Sequence, residues 1–288
     1  MLKKVLRPLL KYVYSKIPPI NIGFIYTEGR KDSKTRGKDR IPKHVYQTWM
    51  RPALPLVLAR RVVEFRKMNP EYSFSFFDDG QMAEYMESKY AGQPILKVFK
   101  EIYMPAEKAD IWRYCILFKE GGIYCDIKSA IKIPIRQVLR EDFSELISFE
   151  GNEWKNFMSP GFYSDPNVFF PAPPESIRSN LDYPDRVICN WFLCFEKGSP
   201  ILEEAINQIV RHATFYRGRR FEKVSIAGNH FTGPLAFTQA VWHWMDRTGK
   251  RPGQGGVDLR GQGIWKLPGM DYSASPHHTT LRDLTLLD

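Results

Sequence analysis

The sequence predicts an α/β fold, a doubly wound and mainly parallel sheet flanked by helices, and three observations point to it. Strand-like and helix-like segments alternate from Ile41 onward. One unit, MPAEKADIWRYCILFKEGGIYCDIKSAI over residues 104–131, reads as a helix, a two-glycine turn and a short apolar strand. That strand ends on a carboxylate, Asp126. In open α/β sheets, ligands bind at the carboxyl ends of the strands.

The first forty residues carry +8 of the chain's net +10, so the basic balance belongs to an N-terminal arm and not to the body. That distribution argues against a nucleic-acid-binding body. Within the arm, Leu2, Val5, Leu6, Leu9, Leu10, Val13 and Ile17 recur at helical spacing against Lys3, Lys4, Arg7, Lys11 and Lys16. Residues 1–17 therefore read either as an amphipathic helix for an anionic membrane surface or as a terminal helix docked on the body; Pro8 would kink it. Arg7 and Lys11 interrupt the apolar run that a signal peptide needs, and no stretch reaches the roughly eighteen apolar residues of a membrane span. The expectation is a cytoplasmic protein, peripheral at a membrane surface. Residues 27–40 hold no large apolar side chain and read as a linker. The pattern thus divides the chain into an arm and linker (1–40) and a folded domain (41–288).

In the body, IPKHVYQTW (41–49) gives a first strand through Val45 and Tyr46, ending on Gln47, Thr48 and Trp49. A helix follows to about Met68. Tyr72–Phe77 alternates aromatic residues with serine as a half-buried strand does. Asp79 is placed to cap a helix running to Tyr90, and a further helix covers Ile95–Tyr103. Pro105 suits the first turn of the central helix, and Gly121 and Gly122 stop it. On that helix Ile111, Tyr114, Cys115 and Phe118 share one apolar face, while Ala106, Ala109, Asp110, Arg113 and Leu117 share its neighbour. Beyond it, Ser144–Glu150 and Val187–Phe195 read as strands, the latter interrupted by Asn190. Pro200–Phe215 and Gly233–Met245 read as helices. Residues 151–185 form a long irregular segment, and residues 249–263, with six glycines, read as a mobile loop. The four cysteines, 115, 125, 189 and 194, fall inside these elements at spacings that match no zinc template, which predicts buried free thiols.

Four stretches carry a resemblance: IPKHVYQTW (41–49), AEKADIWRYCILFKEGGIYCDIK (106–128), ICNWFLCFEKGSPIL (188–202) and TGPLAFTQA (232–240). They resemble the DxD-containing sugar transferases of glycosyltransferase family 32. That family includes Golgi α-1,6-mannosyltransferases and bacterial capsule or lipopolysaccharide transferases, and the large glucosylating toxins are its relatives. The resemblance implies a GT-A-type, Rossmann-like fold with a nucleotide-sugar donor at the strand ends. It implies transfer from a UDP- or GDP-linked sugar to a glycan or lipid-linked acceptor, with retention of anomeric configuration; the charge distribution gives the expectation of no nucleic-acid partner, a nucleic-acid-binding protein using the basic arm being the lesser alternative. It assigns Asp110 and Arg113 to the donor sugar, Asp126 to the ribose or the metal–diphosphate, and Tyr124 to the pocket border. Gln47, Thr48 and Trp49 would face the base, with Trp49 a stacking residue. Asn190 and the Thr232–Gly233–Pro234 turn would reach the diphosphate or the acceptor. An inverting reaction would instead need a base near the acceptor, for which Asp165, Asp182 and Asp185 are candidates.

Each of these residues has a plainer reading. Asp110 and Arg113 alone could be an exposed i,i+3 ion pair worth a few tenths of a kcal/mol. Trp49 could be core and Asn190 a satisfied buried amide. The sequence also departs from the family's motif, because it reads Asp126-Ile127-Lys128. The second Asp, a usual ligand of Mn²⁺ or Mg²⁺, is replaced by Lys128. Three alternatives follow: Lys128 neutralises the diphosphate itself, Asp126 holds a metal with His277 or His278, or catalysis is lost and a sugar-nucleotide-binding or membrane-associated protein remains.

Overall fold

A computed structural model of the chain describes residues 18, 20–21, 39–130, 134–153, 175–257, 265–266 and 284–287. The predicted basic helix of residues 1–17, most of the linker, Asp165 and the pair His277–His278 lie outside the described residues.

The body is built on a seven-stranded sheet. Its strands are β1 (His44–Thr48), β2 (Ser73–Phe77), β3 (Gly122–Cys125), β4 (Glu145–Glu153), β5 (Arg186–Ile188), β6 (Phe192–Phe195) and β7 (Gly253–Val257). Their spatial order is β7-β4-β6-β3-β1-β2, and β5 also pairs with β4. β2, β1 and β3 are parallel, as are β7 and β4, whereas β6 runs antiparallel to both β3 and β4. Five strands therefore share one direction and two, β5 and β6, oppose it. This is the mainly parallel, helix-flanked sheet that the sequence predicts.

The helices of two turns or more among the described residues are α1 (Leu56–Met68), α2 (Asp79–Lys89), α3 (Pro94–Glu101), α4 (Pro105–Glu120), α5 (Pro200–Tyr216), α6 (Val224–Phe231) and α7 (Pro234–Thr248). Residues from α2 to α7 form one continuous core with Tyr46, Tyr124, Ile147 and Leu193 of the sheet. Phe65 of α1 packs with Val45, Ile123, Cys125 and Cys194 on the opposite face. Ile123, Tyr124 and Cys125 are all fully buried because β3 is covered on both sides, which is why it reads as a continuous apolar run. The four cysteines are free and buried, as predicted.

β1 lies between β2, which follows it in the chain, and β3, which comes only after α2, α3 and α4. The connection therefore leaves β1 on one side and returns on the other. The carboxyl ends of β1 and β3 form the crevice that this reversal opens, where a doubly wound sheet binds its ligands.

Some boundaries differ from the sequence reading. Asp78, not Asp79, caps α2: its carboxylate accepts from Gln81 N at 2.9 Å, and the Gln81 side chain accepts from Asp78 N at 3.0 Å. That reciprocal pair fixes the start one residue earlier. Gly121 caps α4, but Gly122 is already the first residue of β3. The segment Val187–Phe195 is not one strand but two, β5 and β6, parted around Asn190. Residues 253–257, read as part of a mobile loop, form the edge strand β7 beside β4. Arg40, the last residue of the predicted linker, pairs with Glu196 at 2.9 Å. No helix among the described residues is long and apolar enough to cross a membrane.

Candidate active site

The predicted residues Asp110, Arg113, Tyr124, Asp126 and Asn190 converge on one cluster. α4 runs antiparallel to the strand it precedes, so its first turns lie over the carboxyl end of β3. One turn of helix separates Asp110 from Arg113, and an Arg113 guanidinium nitrogen lies 3.2 Å from Asp110 Oδ1. The same nitrogen lies 3.6 Å from Asp126 Oδ1. Arg113 also donates to the Asn190 carbonyl at 2.7 Å and stacks its guanidinium over the Tyr124 ring at 4.4 Å. Tyr124 donates its hydroxyl to Asp126 Oδ1 at 2.6 Å. Far from an exposed surface pair, Arg113 is a buried cation shared between two carboxylates.

The break between β5 and β6 is what admits Asn190. Asp126 N donates to the Trp191 carbonyl at 2.9 Å, holding the broken strand beside the end of β3. The Asn190 amide then donates to Asp110 Oδ1 at 3.0 Å. From the α6–α7 turn, Thr232 donates its hydroxyl to Asp110 Oδ2 at 3.2 Å. Tyr114, read from sequence only as an apolar-face residue, links the two. Its hydroxyl donates to the Thr232 carbonyl at 2.9 Å and lies 3.3 Å from the Asn190 amide. Tyr114 sits four residues after Asp110, one turn along the same side of α4, and that spacing was its available signal.

Burial raises the Asp110 carboxyl to about 6; the Arg113 charge lowers it, Asp126 raises it, and the Thr232 and Asn190 hydrogen bonds lower it. Burial works against the Arg113 charge, yet Tyr124, Asp110 and Asp126 outweigh it and hold the guanidinium above its ordinary pKa. The Tyr124 phenol is raised, first by burial and also by its contact with Asp126. Around neutral pH the cluster therefore carries a fixed cation and carboxylates beside it. The Asp126 side chain keeps about a third of its surface open. Such a set can bind hydroxyl groups bidentately and orient a polar ligand at the strand ends.

The end of β1 is divided in role. Thr48 is spent internally, its hydroxyl donating to the Phe77 carbonyl at 2.8 Å. Gln47 is buried, and its Oε1 accepts no hydrogen bond among the described residues. Trp49 packs with Leu54, Leu58 and Ile127, and Lys128 Nζ lies over its ring at 4.9 Å from the centroid. Gly233 caps α7, and an added Cβ there would meet Asn229 Cα at 2.8 Å, so close packing between α6 and α7 explains this glycine. Asp182 and Asp185 pair with Arg251 and Arg178 respectively, as surface ion pairs.

Sequence reasoning missed Glu107, one turn before Asp110. It is 3% exposed, and its Oε2 has no hydrogen-bond partner among the described residues. Gly228 of α6 makes room for it, since a Cβ there would fall 2.1 Å from Glu107 Oε1. Burial, and then the Asp110 charge, raise the Glu107 carboxyl to about 8, against one opposing hydrogen bond from its own backbone. A carboxyl with a raised folded pKa loses stability for the fold as pH climbs from its ordinary value towards the raised one. Glu107→Gln removes that loss while keeping the shape. The stability of this variant relative to the parent is expected to increase by about 3 kcal/mol between pH 5 and pH 8. Urea unfolding at both pH values checks this, and a difference independent of pH would refute the buried-acid account.

Residues 58–144 match the family model described as a glycosyltransferase sugar-binding region containing a DXD motif. An initiation-specific alpha-1,6-mannosyltransferase of Candida albicans is 25% identical over 223 residues, 73% of this chain and 55% of that protein. Its Schizosaccharomyces pombe counterpart of the same name is 27% identical over 216 residues, 72% of this chain and 49% of that protein. The chain thus spans about half the length of these curated relatives. Among solved structures, the PaToxG glycosyltransferase aligns with a TM-score of 0.50 at 17% identity, over 84% of this chain and 77% of that one, which supports the fold. Asp110, Arg113, Tyr124 and Asp126 all fall inside the region that matches this description of a glycosyltransferase sugar-binding region containing a DXD motif.

Proposed function

We propose that the chain is a glycosyltransferase that moves a sugar from a UDP- or GDP-linked donor to a glycan or lipid-linked acceptor, with retention at the anomeric carbon. The observation that carries this reading is the buried Asp110–Arg113–Asp126 cluster at the crevice between β1 and β3. Asp110 has lone pairs beyond those used by Asn190 and Thr232 and would accept from two sugar hydroxyls. Arg113 would fix that carboxylate and, with Tyr124, border the sugar. In the reaction the bond from the anomeric carbon to the diphosphate oxygen breaks and its electron pair leaves with the diphosphate. A bond to the acceptor oxygen forms, and the acceptor's proton passes to the departing phosphate. Among the curated relatives, three are named initiation-specific alpha-1,6-mannosyltransferases and another, from Schizosaccharomyces pombe, inositol phosphoceramide mannosyltransferase 3. Those names support mannose as a sugar to test, with glycan and lipid acceptors both in the panel.

The test is donor turnover and transfer over a panel of UDP- and GDP-sugars. Turnover of at least one donor is expected, and Asp110→Asn is expected to lower it by about 10²-fold. If the chain neither binds nor turns over any member of the panel, the transferase reading fails. The replacement of a motif carboxylate by Lys128 favours a second reading, a sugar-nucleotide-binding protein without turnover, which the same panel would show as binding alone.

A further inference from the structure

The family's motif implies a divalent cation at Asp126, and the residues present do not fit one. The third motif position is Lys128, which cannot ligate while protonated. Asp126 Oδ1 already accepts the Tyr124 hydroxyl and faces Arg113. Among the described residues no group of three His, Cys, Asp or Glu side chains could hold a metal ion. Charge points the same way. Arg113 already stands between Asp110 and Asp126, and the motif position that would carry a second carboxylate brings the positive charge of Lys128 instead. A divalent ion would add two positive charges beside them with one side-chain carboxylate to ligate it.

We infer that Lys128 takes the metal's place, its ammonium serving as the built-in cation that neutralises the diphosphate of a nucleotide-sugar donor. The position supports this. Trp49 directly follows β1 and Lys128 lies three residues after β3, so their contact spans the crevice where the chain reverses direction across the sheet. Ile127 is buried against α1 and Trp49, which anchors the backbone from which Lys128 projects. The Trp49 ring lies 4.9 Å from Nζ, and an aromatic face attracts an ammonium without cancelling its formal charge. A lysine ammonium is a compact point charge with three N–H donors, a chemistry suited to a diphosphate. As the donor's anomeric C–O bond breaks, charge grows on the leaving oxygen, and a fixed cation stabilises that growth. Lys128 gives up no proton in this step; the acceptor's proton ends on the released diphosphate.

This inference rests on the transferase reading, and its test separates the two. UDP and GDP binding is measured by calorimetry on the full chain, in EDTA and again in Mn²⁺, alongside donor turnover. The parent is expected to bind one of them equally well, within about twofold, under both conditions and to turn over its sugar in EDTA. Lys128→Met is expected to weaken binding roughly 10- to 100-fold, with no rescue by Mn²⁺. Lys128→Arg, which keeps the charge and controls for folding, is expected to retain most of the affinity. Lys128→Asp rebuilds the motif and is expected to bind only when Mn²⁺ is present. Loss of parent binding in EDTA with recovery in Mn²⁺ would overturn the inference, as a metal held by Asp126 with His277 or His278 predicts, and would leave the transferase reading standing. Parent-like affinity in Lys128→Met would also overturn it. Failure of the parent to bind UDP or GDP under either condition would overturn both readings.

Discussion

Arg113→Met is expected to destabilise the fold by about 3–5 kcal/mol, because it removes the cation shared by two carboxylates and leaves both without their charge partner. In a domain of this size that corresponds to a fall in Tm of roughly 10 °C. The loss has a characteristic pH dependence. Asp110 already sits near 6 with Arg113 beside it, and Arg113 is the largest influence holding it down against burial. Without that cation the carboxyl rises further, so the folded variant prefers Asp110 protonated. Its ionisation then costs stability progressively as pH rises above the ordinary aspartate value. The variant should therefore be closest to the parent at pH 5 and furthest from it at pH 8. Thermal and urea unfolding at both values distinguish this from simple loss of packing against Tyr124, which would cost the same at each pH. A loss below 1 kcal/mol at pH 8 would show that the cluster is not held by the arginine. Arg113→Lys keeps the charge but not the planar fork, which reaches Asp110, Asp126 and the Asn190 carbonyl together, and should fall between the two.

The elements that were legible in the sequence are those whose signal is local. Pro105 at the first turn of α4, the glycine pair at its end and the apolar run after it are short-range instructions, and the structure obeys them. Spacing placed Asp110 and Arg113 on one helix face and Asp126 at the end of the strand that follows, but their convergence on one site was an expectation of the family resemblance. The cap of α2 was also local, as Asp78 and Gln81 stand three apart in the sequence, but the neighbouring Asp79 carries the same chemistry and obscured it. What was not legible depends on partners far along the chain. Residues 253–257, GQGGV, have little strand propensity and pair only because β4 offers a parallel edge. Gly253 fits there because a Cβ would fall 2.5 Å from the Glu145 carbonyl. Glu107 looks like a solvated first-turn acid until α6 covers it with Gly228, 121 residues later. α6 itself, with Gly228, Asn229 and His230, carries weak helix propensity and is fixed by the core it closes.

Asn190 and Thr232 show the same division within the site. The interruption of an apolar strand by Asn190 was visible, but its consequence was not. The strand splits, and the Asn190 backbone carbonyl and side-chain amide, released from sheet pairing, satisfy Arg113 and Asp110. Thr232 reaches Asp110 through the α6–α7 turn, across a sequence separation of 122 residues. Neither partner could be chosen from spacing alone, because the choice is made by where the sheet order places β6 beside β3.

Gly122→Ala is expected to cost on the order of 3–5 kcal/mol and to disturb the site without touching any of its side chains. Gly122 adopts φ 108°, a conformation that a Cβ disfavours, and this part of the cost is about 1–3 kcal/mol. The larger constraint is space. An added Cβ would lie 2.7 Å from the His44 carbonyl oxygen of β1 and 3.2 Å from a Tyr46 ring carbon. Backbone, not a flexible side-chain end, opposes it, so β3 must shift away from β1 along the seam where they pair through Val45–Ile123 and Tyr46–Tyr124. That shift would carry Asp126 and Lys128 with it and widen the crevice opposite Trp49. Gly92→Ala supplies the control, because Gly92 has φ 74° with nothing within 4 Å of an added Cβ. It isolates the conformational term, expected to be about 1 kcal/mol. Urea unfolding of the two variants measures the steric part by difference, and equal losses would sink the account of close approach between β3 and β1. Nucleotide binding reads the second consequence: Gly122→Ala should weaken it even where the variant is fully folded, and Gly92→Ala should not.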